Sequence, residues 1–397
     1  MLIEELRKKD KNKYFTSNDS FVPYSTSLIP LDFANGYMAP MGDGRMVPVT
    51  GILGGTFTTI IGLSGSGKTT LADQIAWSII SPFEDGIMIH FDIEKTAMKA
   101  RILQITGAKP DDPRIILQKD RVSIEDVLDI LDTICDAKEA AGDSAMYEIP
   151  QEYWVDPDKP TKMYVPTVFI LDSLATFNSK ERKEDVLEGQ MLGGREAGQI
   201  SQFYSKCLNK MSHYNISIIA VNHIKAKVDI NPYQASPSQL MMLKPGESLP
   251  RGNAPVYLAQ NIFRCTATKG NMYTMEDNGF EGFRCQIQVS KTKTSFIGST
   301  INACFNKDIG FDPIYTLYEF AEQCNLVGGR NPYLVIKGLE EFKFNRKDFR
   351  AKFINEPDFR EGVMKCLTPY LKMILGSKEM NSRDPDEYVS LSSLMNS

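Results

Sequence analysis

The chain has 397 residues, 42% of them hydrophobic, enough for about two to four domains and at least one sizeable core. Forty-five Lys and Arg stand against fifty Asp and Glu, a formal net charge of −5. Whole-chain disorder and a polybasic, histone-like mode of binding are thereby excluded, although a basic loop can still grip a polyanion locally.

The N-terminal MLIEELRKKDKNKYF has no apolar run of signal-peptide length, and no stretch of about 18 uncharged apolar residues follows anywhere. A cytoplasmic protein without membrane association is expected. Residues 1–45 are polar, then rich in Gly, Pro and Met, and predict an arm with a lead-in loop. The seven cysteines are scattered and never form C-x-x-C, and only three histidines occur, which argues against a disulfide framework and against a zinc centre.

From Gly51 onward, short β-branched runs alternate with amphipathic stretches. Strands are predicted at 57–62 (FTTIIG), 86–92 (GIMIHFD), 167–172 (TVFILD) and 216–222 (ISIIAVN), and helices at 69–80, 123–137 and 190–214. This order predicts an α/β fold with a doubly wound, mostly parallel sheet. Further strands at 256–266, 283–290 and 299–305 lack intervening helices and predict an antiparallel extension. Helices at 314–324 and 360–375 predict a small C-terminal domain. The expected organisation is therefore 1–45 arm, 46–311 core, 312–375 C-terminal domain and 376–397 flexible tail. Residues 140–166 read as an insertion at the sheet's edge. Residues 225–252 read as a long functional loop leaving a buried strand.

Gly62-Leu63-Ser64-Gly65-Ser66-Gly67-Lys68-Thr69 satisfies G-x-x-x-x-G-K-[ST] between a strand and a helix. Its backbone N–H groups are expected to cradle phosphates, with Lys68 as a point charge and Thr69 placed for Mg²⁺. Thr70 is counted with them as a nucleotide contact. Asp172 closes a neighbouring apolar strand and supplies the carboxylate that supports Mg²⁺. Glu94, at the end of the 86–92 strand, is the candidate base for hydrolysis. His223 ends the 216–222 strand where the long loop begins, a position suited to sensing the γ-phosphate. ATP and Mg²⁺ are the expected cofactors.

The phosphate loop, Asp92-Ile93-Glu94, Leu171-Asp172-Ser173, Val221-Asn222-His223 and Arg251-Gly252-Asn253-Ala254 occur in this order along the chain. The set resembles the RecA family, and within it the UvsX-type strand-exchange recombinases of large bacteriophages. The likeness spans about residues 29–338. It implies a RecA-like P-loop ATPase core, and an N-terminal arm that contacts the next protomer of a helical filament. It also implies that Glu94 activates water, that His223 couples the γ-phosphate to DNA binding, and that Lys291 and Lys293 reach the nucleotide of a neighbouring protomer. Arg101 falls where family members stack a side chain on adenine. Two DNA-holding loops are implied at about 178–195 and 224–251, with Arg195, Lys225, Lys227, Val228 and Arg251 as contacts. The implied partners are single-stranded and duplex DNA, with a single-strand-binding protein and a loader, in a host cytoplasm. The expected activity is DNA-dependent ATP hydrolysis coupled to homologous pairing and strand exchange. A hexameric replicative helicase and an ATP-binding filament regulator are the alternatives.

Overall fold

Runs that are apolar on both faces, such as 167–172, can only be satisfied between two layers of helix. In the computed structural model they become inner strands of one central sheet. The structure describes residues 21–41, 45–120, 122–154, 156–179, 192–226, 243–251, 254–293 and 297–376. Among them, nine strands build that sheet: β1 (Phe57–Gly62), β2 (Ile87–Asp92), β3 (Ile115–Gln118), β4 (Thr167–Asp172), β5 (Ile216–His223), β6 (Asn261–Tyr273), β7 (Gly282–Thr292), β8 (Thr300–Asn306) and β9 (Gly310–Phe311). Their spatial order is β9-β8-β7-β6-β1-β5-β4-β2-β3. Neighbours from β6 to β3 run parallel, and β7 to β9 continue the sheet antiparallel.

Alternation along β4 divides its side chains between two cores. Val168 and Ile170 join Ile60 and Val221 against Leu71 and Ile75 of helix α1 (Lys68–Ile80). Phe169 and Leu171 join Phe57 and Ile218 on the opposite face, against Val127 and Leu131 of α2 (Ile124–Ala141) and Phe203 and Cys207 of α3 (Leu192–Tyr214). Each such side chain contributes roughly 1.5–3 kcal/mol on burial. Helix α2 begins with a capping box, in which Ser123 and Asp126 satisfy each other's backbone N–H.

A third apolar cluster gathers α4 (Pro313–Gln323), a small sheet of β10 (Val327–Arg330), β11 (Tyr333–Ile336) and β12 (Leu339–Phe344), and helices α5 (Phe349–Asn355) and α6 (Pro357–Gly376). Tyr318, Phe349, Phe359 and Leu367 lie at its centre.

The structure departs from the sequence reading in several places. Residues 21–41, expected to be arm and lead-in loop, carry a helix over Ile29–Asn35 whose Leu31 and Ala34 are fully buried, and whose Ile29 and Phe33 lean on the C-terminal cluster. The insertion at 140–166 holds a hairpin of Met146–Glu148 with Lys162–Tyr164, and its Ile149 and Tyr153 pack beside Val47 and Val49. The strand expected from 256 begins at Asn261, because Pro255 starts a helical turn over Ala254–Leu258. The edge strand β3 was not expected at all. No helix among the described residues is long and apolar enough to cross a membrane.

A candidate nucleotide site at the strand ends

The parallel register brings the ends of four strands to one edge. Gly62 pairs with His223 on one side and Cys265 on the other, while Asp172 pairs with both Val221 and Asp92. Every residue expected to act on the phosphates, apart from the Lys291 and Lys293 pair, is thereby set around the loop that follows β1.

That loop needs its glycines for two different reasons. Gly65 and Gly67 have φ of +73° and +84°, in the left-handed region. At Gly62 a Cβ would stand 2.5 Å from the Cys265 carbonyl oxygen and 2.6 Å from Ser66 Oγ, so a side chain there is excluded by contact. Ser66 Oγ donates to the Leu63 carbonyl at 2.8 Å and holds the curl. Gly67 leads into α1, whose first N–H groups and positive dipole end face the loop.

Lys68 is buried and donates to the Leu63 carbonyl at 2.7 Å. Burial lowers its pKa, opposed by Cys265, Asp172 and Glu94. An ammonium withdrawn from water and held by one carbonyl of its own loop fits a phosphate oxygen as an additional partner. Thr69 Oγ1 donates to Asp172 Oδ2 at 2.6 Å. Both are hard oxygen donors side by side, and Thr69 and Asp172 are the residues that would hold Mg²⁺, one of them through water. Burial raises the Asp172 pKa, while the Thr69 hydroxyl and His90 act to lower it.

Glu94 is held from two sides. The Ile93 and Glu94 amides both donate to the Asp172 carbonyl, at 2.8 and 3.3 Å, and Asp92 caps the same turn by accepting from the Thr96 and Ala97 amides. Ser173 Oγ donates to Glu94 Oε1, and His223 Nε2 lies 3.3 Å from that same oxygen. The carboxylate proposed as base and the histidine proposed as sensor are therefore in direct contact.

Arg101 donates to the Gln104 side chain at 3.0 Å and to the Asp308 carbonyl at 2.9 Å, which sets it beside the turn into β9. At that turn Gly310 faces Thr70, since a Cβ on Gly310 would stand 2.6 Å from Thr70 Cγ2.

The remaining expected residues lie elsewhere. Lys291 does not approach the phosphate loop; its ammonium donates to the carbonyls of Val256, Tyr257 and Ala259 at 2.6, 2.8 and 2.8 Å, closing the end of the Ala254–Leu258 turn. Lys293 stands two residues further along, its amide bound to the Gln260 carbonyl. Arg251 turns its guanidinium inward, donating to the Ala175 carbonyl at 3.1 Å and to Asn178 Oδ1 at 2.7 Å, which opposes a simple role as a DNA contact. Lys225 is exposed on a short strand pairing with Glu247–Ser248. Lys227 and Val228 lie outside the described residues, as does the Arg195 side chain.

One pair was missed. His90, fully buried in β2, shares its Nδ1 with Asp73 Oδ1 at 2.7 Å and presents Nε2 toward Asp172 Oδ2 at 3.9 Å. Burial disfavours the charged ring, but Asp73, Asp172 and Asp92 outweigh it and raise the His90 pKa. A histidine in the middle of an otherwise apolar inner strand, and an aspartate one helical turn beyond Thr69, are the sequence signals that point to this pair.

No protein-family model and no curated protein matches this chain.

Proposed function

We propose that the chain is an ATP-dependent DNA strand-exchange protein with a RecA-like core, which polymerises on single-stranded DNA as a helical filament and pairs it with homologous duplex. The observation that carries this reading is the contact of His223 with Glu94: the strand bearing His223 lies between the phosphate-loop strand and the Asp172 strand, and its next residues open the long loop. A group that touches the hydrolytic carboxylate and also begins a loop can make the loop's position depend on the γ-phosphate.

In this reading the loop amides, Lys68 and the N-terminus of α1 bind and orient the β- and γ-phosphates. Bound Mg²⁺ would supply charge neutralisation across those phosphates. Glu94, oriented by Ser173, takes the proton of the attacking water. Lys and Arg side chains of the two loops then hold the DNA backbone without regard to sequence. Of the lysine pair, Lys293 is the better candidate to reach a neighbouring protomer's nucleotide, because Lys291 would first have to give up three carbonyls.

The test is ATP hydrolysis measured without DNA, with single-stranded DNA and with duplex DNA, on samples imaged by negative-stain microscopy. Stimulation by single strands together with helical filaments is expected. A rate indifferent to DNA removes the coupling; closed rings favour the helicase; nucleotide binding without turnover or assembly favours the regulator.

A further inference from the structure

The segments 173–178 and 247–251 are bolted to each other by a side chain for which the nucleotide site has no direct use. Arg251 has φ of +72°, a conformation that costs any residue with a Cβ and that glycine adopts freely. If only the backbone path mattered, glycine would serve; the guanidinium is what glycine lacks. Its Nε donates to the Ala175 carbonyl and its Nη2 to Asn178 Oδ1, both in the segment that leaves Asp172-Ser173.

These bonds close a ring of contacts. Glu94 accepts from Ser173 Oγ, and the turn Leu174–Thr176 follows directly. Arg251 joins that turn to the second segment, where the adjacent Pro250 carbonyl accepts from Asn222 Nδ2 at 3.3 Å. Asn222 Oδ1 accepts from the His223 amide at 3.0 Å, and His223 returns to Glu94. The second segment is anchored independently to the sheet: Glu247 forms a two-pronged ion pair with Arg264 of β6 at 2.7 and 2.8 Å, and Leu249 packs against the Ile61 and Ile224 cluster. The first segment is tied by the Ile124 amide, which donates to the Asn178 carbonyl. Within this ring, Arg251 supplies the direct side-chain link from one segment to the other.

We propose that Arg251 is a positioning residue that makes the segments 173–178 and 247–251 move as one unit when nucleotide occupies the site. The inference rests on the ATP-binding part of the function proposed above and needs no DNA. Displacement of Glu94 and Ser173 by a bound γ-phosphate shifts the Ala175–Asn178 segment, and the two guanidinium bonds carry that shift to residues 247–251.

Hydrogen exchange read by mass spectrometry tests this on the full chain, with and without a magnesium complex of a non-hydrolysable ATP analogue. In the wild-type protein the analogue is expected to slow exchange in both 173–178 and 247–251, by about fivefold or more, the lower end of ordinary coupling between sites. Arg251→Gly keeps the backbone conformation and removes the guanidinium. It is expected to bind the analogue with unchanged affinity and to slow exchange in 173–178, while the effect in 247–251 disappears. Asn178→Ala, at the other end of the stronger bond, is expected to reproduce this. Transmission to 247–251 that persists in both variants overturns the inference and leaves the functional reading standing. A wild-type chain that does not bind the analogue refutes the functional reading first, and the inference with it.

Discussion

Glu94→Gln isolates the chemical step, because the replacement has the same shape and retains the contacts that hold the residue. Gln Oε1 can take the place of the native Oε1, accepting from Ser173 Oγ and lying 3.3 Å from His223 Nε2 as that oxygen does. The turn over 93–97 is built from backbone bonds to Asp172 and Asp92 and does not involve the Glu94 side chain. Nucleotide affinity should therefore stay within about threefold, since uniform binding is untouched. A positioned general base contributes about 10²–10⁴-fold, so kcat should fall by that factor. At about 1.4 kcal/mol per tenfold this is roughly 3–5 kcal/mol of barrier. Phosphate release gives kcat, and equilibrium binding of a fluorescent ATP analogue gives affinity. A variant that turns over within about tenfold of wild type shows that Glu94 is not the base. A variant that loses affinity as much as rate shows that Glu94 holds the site together and does not act on water.

Two further substitutions probe the surroundings. Lys291→Met keeps the stem and removes the donor shared by three carbonyls, and should lower stability by about 2–3 kcal/mol in denaturant. Burial, and then the nearby Lys293, push the Lys291 pKa down to about 8, so the unfolded chain binds the extra proton between about pH 8 and 10. Wild-type stability therefore rises relative to the variant across that window, and a gap that stays constant from pH 8 to pH 10 contradicts the burial. Asp73→Ala leaves the His90 ring buried without its carboxylate and should cost about 3–5 kcal/mol, whereas adding His90→Leu to it should recover much of the loss. Strict additivity in that double-mutant cycle means that the 2.7 Å contact contributes nothing of its own.

What could be read in advance was whatever depends on neighbours in sequence. The phosphate loop is eight contiguous residues whose backbone geometry is set by its own glycines, so its place between a strand and a helix was legible. The inner strands were legible because burial on both faces leaves a continuous apolar run, and the long helices because one face repeats at 3.6 residues. Helix α6, expected at 360–375, is observed over Pro357–Gly376.

Contacts between distant segments were not legible. The charge pattern Lys291-Thr292-Lys293 carries no sign that Val256, Tyr257 and Ala259 will present three carbonyls to one ammonium; that depends on where a helical turn ends more than thirty residues earlier. Residues 140–166 show no period because short hairpin strands and single turns are too brief to display one, and their buried Ile149 and Tyr153 join a cluster with the distant Val47 and Val49. Arg251 looked like a loop cation from its position, and only the fold shows the Ala175 and Asn178 oxygens that receive it. Local propensity and burial pattern thus wrote the inner strands, the long helices and the phosphate loop into the sequence. Which polar groups meet across the strand ends was decided by tertiary packing, because a hydrogen bond is specified by two partners and the sequence shows them one at a time.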